Sequence, residues 1–316
     1  MVNILDNQQL EILKDALEYS LHNCDIVQTN DEIGVINNEK FLELFITSKK
    51  IEGCSIRTLS YYEMILKRLL KHIKYSVKKI TTEDLRNYLD DYQRVSNASR
   101  VSLDNIRRIL SSFFNWLESE NYILKSPMRR IHKIKTVKIV KETYSSETMQ
   151  VIRDNCDNIR DLAIIDLLAS TGMRVGELVK LNKYDIDFNN KECIVFGKGD
   201  KERRVYFDSV TKIHLIRYLN SRTDENEALF VSKLRPYKRL EISGIEIMLR
   251  KLGRKLGITR IHPHKFRRTL ATNAIDKGMP VEQVQKLLGH TKIDTTMQYA
   301  MVDQNNVKNS YMKYLD

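Results

Sequence analysis

The chain has 316 residues, more than one ordinary hydrophobic core accommodates, so two domains are expected. Hydrophobic residues make up 42% of it, which suits globular packing and excludes a collagen-like or wholly disordered chain. It contains no apolar run of membrane-spanning length and no basic-then-apolar signal sequence, which favours a cytoplasmic protein without a membrane partner. The four cysteines (Cys24, Cys54, Cys156 and Cys193) have no paired spacing, so neither a zinc site nor a disulfide framework is expected.

The formal net charge is +12 at pH 7, and this excess of Lys and Arg suggests a polyanionic partner whose phosphates the cations would neutralise. A merely basic soluble enzyme would have the same composition, so the total charge leaves the two interpretations about even. The distribution of charge along the chain decides between them.

Residues 1–37 are interpreted as an N-terminal extension. Leu10, Leu13, Leu17 and Leu21 lie on one stripe of an amphipathic helix, and a polar loop follows it. Docking onto another surface and contact with DNA are equally compatible with this helix, so its role stays open.

Residues 38–125 are helical throughout and form the first predicted domain. Its last helix repeats apolar residues at the i, i+3, i+4 and i+7 positions that bury one helix face. Thr81 and Asp84 resemble a capping box at the start of the helix before it. We interpret Trp116 and the neighbouring phenylalanines as core residues, because aromatic side chains at helical spacing usually pack inside and do not form a platform for stacked bases.

Basic residues on the polar faces of these helices favour a phosphate-contacting surface over a merely solvated one. The stretch from Lys125 to Lys141 holds seven Lys and Arg and no acidic residue. Its apolar and basic alternation would suit a half-buried strand, but Pro127 marks a boundary, and we predict that 126–142 is a basic linker along DNA. The cations predicted to contact DNA are Arg57, Lys67, Lys71, Arg107, Arg129, Arg130, Lys133 and Lys135.

Residues 143–316 form the second predicted domain. Two β-rich runs flank Gly197 and Gly199, which predicts a β-hairpin with Lys198 at its tip. Pro280 suits the first position of a helix that ends at Gly289, and Asp294 is expected to cap a short helix carrying Tyr299. The predicted helices cover about 145–156, 158–170, 209–222, 240–257, 264–277, 280–288 and 304–315.

The stretch from Ser170 to Leu178 is the centre of this domain. An apolar run leads into Gly172, which is typical of a helix C-terminus, and a second short helix is expected to begin near Arg174. Arg174 and Glu177 are three residues apart and therefore within mutual reach on one face. An arginine among the free N–H groups of a helix start can bind phosphate, although an Arg–Glu pair that braces two helices would explain the segment almost as well.

Six residues of this domain together suit attack on a phosphodiester by a protein hydroxyl. The sequence lacks a carboxylate cluster for metals and a glycine-rich nucleotide loop, so neither a metal nor another cofactor is expected. A tyrosine can act as nucleophile, two guanidinium groups can stabilise the charge of the transition state, a lysine can protonate the leaving oxygen, and histidines can move a proton or bond the phosphate. The six are Arg174, Lys198, His264, Arg267, His290 and Tyr299.

Each of the six has an ordinary structural explanation when it is considered alone. His264 and Arg267 could form an exposed basic helix face, Lys198 could be a solvated hairpin tip, and His290 could cap a helix. Tyr299 is one of 15 tyrosines. Their joint order and spacing carry the functional interpretation.

The segments around these residues resemble the tyrosine recombinases, the integrase and Xer type of site-specific recombinase. The matching motifs are Thr-Gly-Met-Arg174, Gly-Lys198-Gly, His264-Lys-Phe-Arg267, Leu-Gly-His290 and Thr-Met-Gln-Tyr299. The resemblance implies a mainly α fold with a small β-hairpin or sheet, in which a helical core-binding domain and a catalytic domain clamp duplex DNA in the shape of a C.

The resemblance also implies a role for each matched residue. Arg174 and Arg267 would bind the scissile phosphate, and His290 would hydrogen-bond it. Tyr299 would attack it to leave a 3′-phosphotyrosine and a free 5′ hydroxyl. Lys198 would be the general acid, and His264 would assist with the phosphate and the proton.

Two further positions bear on this match. Glu177 falls where the family often has an acidic residue that positions catalytic groups. Arg268 stands where many members have histidine, which does not affect the six principal roles, and His262 matches none of them and is interpreted as structural.

The resemblance further implies a tetramer that joins two DNA sites through a Holliday junction, with 304–316 docking onto a neighbouring protomer. An accessory DNA-bending or directionality protein is a further expected partner. A type IB topoisomerase, which only nicks and reseals, and a catalytically silent DNA-binding protein of the same fold are the alternatives. The short N-terminal region favours a simple Xer-like architecture, while integration of a mobile element, dimer resolution and inversion stay open.

Overall fold

The computed structural model describes residues 6–22, 38–136, 142–197, 202–299 and 311–312. The chain divides into two compact units, 1–138 and 139–316, and the described parts are mostly helical with one small sheet, which confirms the predicted fold class. None of the helices in these ranges is long and apolar enough to cross a membrane.

The first unit contains five α-helices within the described ranges. Helix α1 confirms the predicted amphipathic helix, and Asp6 and Gln9 close a capping box at its start. Its leucines Leu10, Leu13 and Leu17 stay about half exposed. The bounds are α1 Asn7–Leu21, α2 Asn38–Ile51, α3 Ile56–His72, α4 Thr82–Ser96 and α5 Arg100–Ser119.

The core of this unit lies along α5, whose apolar stripe is buried as its spacing predicts. Phe113 and Phe114 are fully buried, and the Trp116 ring packs edge-on against Phe45 with ring centroids 5.5 Å apart. The interpretation of these aromatics as core is therefore confirmed. The capping box of α4 is also present, with the Thr81 N–H donating to the Asp84 carboxylate at 2.8 Å.

The segment after α5 packs onto the same unit. Pro127–Arg130 forms a short 3-10 helix with Met128 buried in the core, and the Thr82 hydroxyl donates to the Pro127 carbonyl at 2.8 Å. Further along, the Ile134 N–H donates to the buried Asp104 carboxylate at 3.1 Å. The first part of the predicted 126–142 linker is thus held on the helical unit, and 137–141 lie outside the described residues.

The second unit surrounds α7, a largely apolar helix whose residues are mostly buried and which packs against α9 and α11. A helix of this pattern needs cover on every face, which explains its central position. The helices are α6 Ser146–Asp154, α7 Ile159–Thr171, α8 Val175–Leu178, α9 Ser209–Asn220, α10 Ile242–Lys255, α11 Pro263–Asp276, α12 Val281–Leu288 and α13 Ile293–Met297.

The sheet of this unit is antiparallel and confirms the predicted hairpin. Its strands are β1 Ile186–Asp187, β2 Glu192–Phe196 and β3 Glu202–Tyr206, in the order β1-β2-β3. Cys193 pairs with Val205, and both side chains are buried against the helices. The two-residue strand β1 was not expected from the sequence.

Two predicted details near the C-terminus differ from the structure. Pro280 is the N-cap of α12 and not its first residue, since its extended ψ of 140° is not helical. Lys292 caps α13, Asp294 lies in the first turn, and Tyr299 follows the helix in a turn. Most of the predicted helix 304–315 lies outside the described residues, and the two that are described, 311–312, are helical.

Candidate active site

The candidate site begins at the turn between α7 and α8. Gly172 ends α7 with φ +60°, and a Cβ added there would lie 2.7 Å from a methyl group of Leu270. Glycine suits this position for two reasons: it adopts the left-handed backbone without strain, and it has no Cβ to clash with Leu270. The turn delivers Arg174 to the N-cap of α8, as the sequence predicts.

Arg174 and Glu177 make the contact that their spacing predicts. The Arg174 Nη1 donates to Glu177 Oε1 at 2.9 Å, and the Arg174 backbone N–H donates to Oε2 at 2.7 Å. The Glu177 side chain is 5% exposed, whereas the Arg174 side chain is 38% exposed. The carboxylate is therefore buried beneath the site, where it holds Arg174, and the Arg174 guanidinium is accessible at the surface.

A second arginine, which the sequence reasoning missed, binds the same carboxylate. The Arg203 Nη1 and Nη2 donate to Glu177 Oε1 and Oε2 at 2.7 and 2.6 Å, and its Nε donates to the Leu287 carbonyl at 3.3 Å. The signal that could have found it is the alternation of β3, in which Arg203 shares a strand face with the buried Val205.

The pKa of Glu177 reflects these partners. Burial raises it, but the hydrogen bonds from Arg203, the bond from the Arg174 backbone, the charge of Arg203 and the bond from the Arg174 side chain lower it below its usual range. Glu177 is thus ionised at neutral pH, as its two cationic partners require.

Arg267 enters the site from α11 and is 3% exposed. Its Nη1 donates to the Gly172 carbonyl at 2.6 Å, and its Nη2 donates to the Leu288 carbonyl. Burial, followed by the positive charges of Arg174 and Arg203, lowers the pKa of Arg267 to about 10. The guanidinium is still cationic at neutral pH, and it links the ends of α7 and α12.

His290 follows Gly289, which ends α12 with φ +65°. Its Nδ1 lies 2.8 Å from the Thr296 hydroxyl. Burial first, and then the charges of Arg267, Arg174 and Arg203, lower the pKa of His290 to about 4. The ring is therefore neutral at physiological pH and lies within the electrostatic field of all three guanidinium groups.

Tyr299 lies next to His290, with the two ring centroids 5.9 Å apart. The Tyr299 side chain is partly buried against an apolar cluster that includes Val284 and Leu288. The Tyr299 backbone N–H donates to the Thr296 carbonyl at 2.9 Å. The structure thus brings Tyr299 together with Arg174, Arg267 and His290.

The other two predicted catalytic residues are His264 and Lys198. His264 is exposed in the first turn of α11, one helical turn before the buried Arg267. Lys198 lies outside the described residues, between the paired ends of β2 and β3 at Phe196 and Glu202.

The cations predicted to contact DNA lie in the first unit. Arg107 is largely buried, and its Nε donates to Asp104 at 2.8 Å, which leaves little of it for a ligand. The other seven are exposed: Arg57, Lys67, Lys71, Arg129, Arg130, Lys133 and Lys135.

The composition of the site indicates its chemistry. The cluster contains three guanidinium groups and one carboxylate, so it keeps a positive charge suited to a phosphate group. Across the described ranges no group of three or more His, Cys, Asp or Glu side chains could hold a metal ion. This arrangement therefore suits a site that binds a phosphate group next to a tyrosine.

Comparison with known proteins identifies the family. The phage integrase family matches residues 138–306, and the phage integrase N-terminal SAM-like domain matches residues 41–124. Tyrosine recombinase XerC of Oceanobacillus iheyensis is 31% identical over 294 residues, which cover 87% of this chain and 95% of that protein. Tyrosine recombinase XerA of Pyrococcus horikoshii is 31% identical over 282 residues, covering 88% and 94%.

The solved structure of the Tn1549 transposon integrase, in complex with a circular intermediate DNA, shares the fold. Its TM-score is 0.73 at 17% identity, with 87% of this chain and 99% of that chain covered. The chain belongs to the phage integrase family, and it is a tyrosine site-specific recombinase.

Proposed function

We propose that Tyr299 is the nucleophile of this recombinase and attacks one phosphodiester of a duplex DNA site. The bond formed joins the Tyr299 oxygen to the phosphorus, and the bond broken releases a 5′ hydroxyl, which leaves a 3′-phosphotyrosyl enzyme. The observation that carries the proposal is the convergence of Arg174, Arg267 and His290 with Tyr299 at the ends of α7 and α12.

The two arginines bind the phosphate from different positions. Arg174 is accessible, so its guanidinium contacts a non-bridging oxygen directly. Arg267 donates two of its five N–H groups to the carbonyls of Gly172 and Leu288, and the remaining N–H groups bind the phosphate. The same two bonds hold Arg267 in place before DNA arrives.

His290 acts as a neutral hydrogen-bond donor. When the Thr296 hydroxyl donates to Nδ1, the ring carries its proton on Nε2, and this N–H is then available to a phosphate oxygen. The low pKa of His290 supports this assignment, since a neutral ring has one donor and one acceptor nitrogen.

The roles of Lys198 as general acid, of His264 as its assistant and of Glu177 as a positioning residue follow from the family resemblance. The contacts of Glu177 with Arg174 and Arg203 support the last of these.

The substrate is double-stranded DNA carrying recombination sites, and the enzyme acts in the cytoplasm as a tetramer that exchanges strands through a Holliday junction. The net charge of +12 and the exposed cations of the first unit support DNA binding, as does the relative solved with DNA. An accessory DNA-bending or directionality protein would complete the assembly, and 304–316 would dock onto a neighbouring protomer.

The test uses a supercoiled plasmid with two copies of the site, identified beforehand by sequencing the DNA ends that wild-type protein traps covalently. Wild type is expected to give recombinant circles, and Tyr299→Phe none. Relaxed circles without recombinants would instead indicate a topoisomerase, and a mobility shift without a covalent adduct would indicate a silent binder. Deleting 304–316 is expected to abolish pairing of two sites while single-site binding persists, and unchanged recombination would contradict the docking role.

A further inference from the structure

Arg203 occupies a position that the roles proposed above leave unexplained. Its side chain is 11% exposed although it comes from a short strand at the edge of the sheet. Burying a guanidinium is costly unless its N–H groups are paired, and here three of them are: two on Glu177 and one on the Leu287 carbonyl.

Each Glu177 oxygen accepts one bond from Arg203 and one from Arg174. Oε1 receives both Nη1 groups, at 2.7 and 2.9 Å, while Oε2 receives Arg203 Nη2 at 2.6 Å and the Arg174 backbone N–H at 2.7 Å. The carboxylate is therefore shared between two arginines. Its position relative to Arg174 depends on Arg203.

The charges lead to the same conclusion. Binding of a phosphate requires the positive charge of Arg174, and Glu177 alone would cancel that charge. Arg203 supplies a second positive charge to the carboxylate, so that the group of three keeps a net charge of about +1 at Arg174. This requirement explains why a buried carboxylate can stand next to a phosphate-binding arginine.

Arg203 also supports the residue that precedes His290. A Cβ on Gly289 would lie 2.7 Å from Arg203 Cδ and 3.1 Å from its Nε, so the Arg203 stem lies directly against this turn. The Arg174 Nη2 reaches the carbonyl of the same glycine at 3.4 Å. The Arg203 side chain thus contacts both Glu177, which binds Arg174, and Gly289, which precedes His290.

We infer that Arg203 is a positioning residue of the recombinase, which neutralises Glu177 and thereby holds Arg174 and the His290 turn ready for the phosphate. It does not touch the phosphate itself, because its guanidinium faces the carboxylate and a carbonyl. This inference rests on the proposed function of the site, and only an arginine has the planar fork that binds both oxygens of Glu177 together with a carbonyl.

The test compares Arg203→Met and Arg203→Lys with a matched control, Arg204→Met. Arg204 is the next residue of the same strand, but its side chain is 58% exposed and pairs with Glu192 at 3.1 Å on the outer face. Covalent adducts are measured in single-turnover reactions with nicked fragments of the host's genomic DNA, and DNA affinity is measured on the same fragments.

Arg203→Met is expected to slow adduct formation by about 10- to 100-fold, the size of effect that the loss of an orienting partner has at metal ligands. DNA affinity should change less than about 3-fold, because it is spread over many phosphate contacts. Arg203→Lys should recover part of the rate, since it keeps the charge without the fork, and Arg204→Met should match wild type.

Three outcomes would overturn the inference or its basis. Equal rates for Arg203→Met and wild type, or for Arg203→Lys and wild type, would show that Arg203 does not position the site. Parallel losses of rate and affinity in Arg203→Lys, with a folded protein by circular dichroism, would assign it a role in DNA binding. An absence of adducts from wild type itself would refute the proposed function and not Arg203 specifically.

Discussion

Replacing Gly289 with alanine tests how tightly the site is packed around Arg203. Gly289 has φ +65°, and its added Cβ would lie 2.7 Å from Arg203 Cδ. Gly257 has nearly the same backbone, with φ +64°, but an added Cβ there would meet nothing within 4 Å. Gly257→Ala is therefore a matched control that carries the backbone strain alone.

The magnitudes follow from this difference. An L-residue in the left-handed region costs about 1–2 kcal/mol, which both variants should lose. Overpacking adds about 1–3 kcal/mol in Gly289→Ala alone, because Arg203 cannot move aside while its guanidinium is held by Glu177. We therefore expect the free energy of unfolding of the second unit to be about 1–3 kcal/mol lower in Gly289→Ala than in Gly257→Ala.

The assay is urea unfolding followed by circular dichroism, with tryptophan fluorescence as an internal reference. The only tryptophan, Trp116, lies in the first unit, so its fluorescence reports that unit separately. Adding Arg203→Ala should remove the extra cost of Gly289→Ala, because the clashing atoms are gone. Equal losses in Gly289→Ala and Gly257→Ala would refute the packing that the structure shows.

Two further predictions concern titration and the segment after α5. His290 should stay neutral down to about pH 4, so the folded chain takes up the proton at a lower pH than the unfolded chain. The free energy of unfolding therefore falls as the pH drops from 6.5 towards 4. His290→Gln should remove this part of the pH dependence. Nuclear magnetic resonance of the ring checks it, and a midpoint near 6.5 would contradict it. Asp104→Asn should destabilise the first unit by about 1–3 kcal/mol, since its buried carboxylate accepts hydrogen bonds from Arg107 and the Ile134 N–H and forms an ion pair with Arg108. Faster hydrogen exchange of the Ile134 amide would accompany that loss, and an unchanged fluorescence melting curve would count against the role of Asp104.

The parts of the site that the sequence predicts are those with local signals. The apolar run, Gly172 and the spacing of Arg174 and Glu177 lie within one short stretch, and the structure has the helix end, the turn and the ion pair there. Helix stripes and the capping box at Thr81 are local in the same sense.

Arg203 could not be assigned in this way, because its partner Glu177 lies 26 residues earlier and reaches it only through tertiary packing. The alternation of β3 puts Arg203 on the same strand face as Val205, but the sequence does not show that Glu177 meets this face. The attachment of 127–134 to the first unit was hidden for a related reason. Its basic residues suggested a linker, while Met128 and the Ile134 amide find partners that are distant in sequence.

The most direct test of the central claim is to identify the residue that becomes attached to DNA. Wild-type protein would be incubated with nicked fragments of host DNA, denatured and digested with protease, and the nucleotide-bearing peptide sequenced by mass spectrometry. Attachment at Tyr299, with no adduct from Tyr299→Phe, is the predicted result. Attachment at another residue, or an adduct that survives Tyr299→Phe, would contradict the assignment of Tyr299 as the nucleophile.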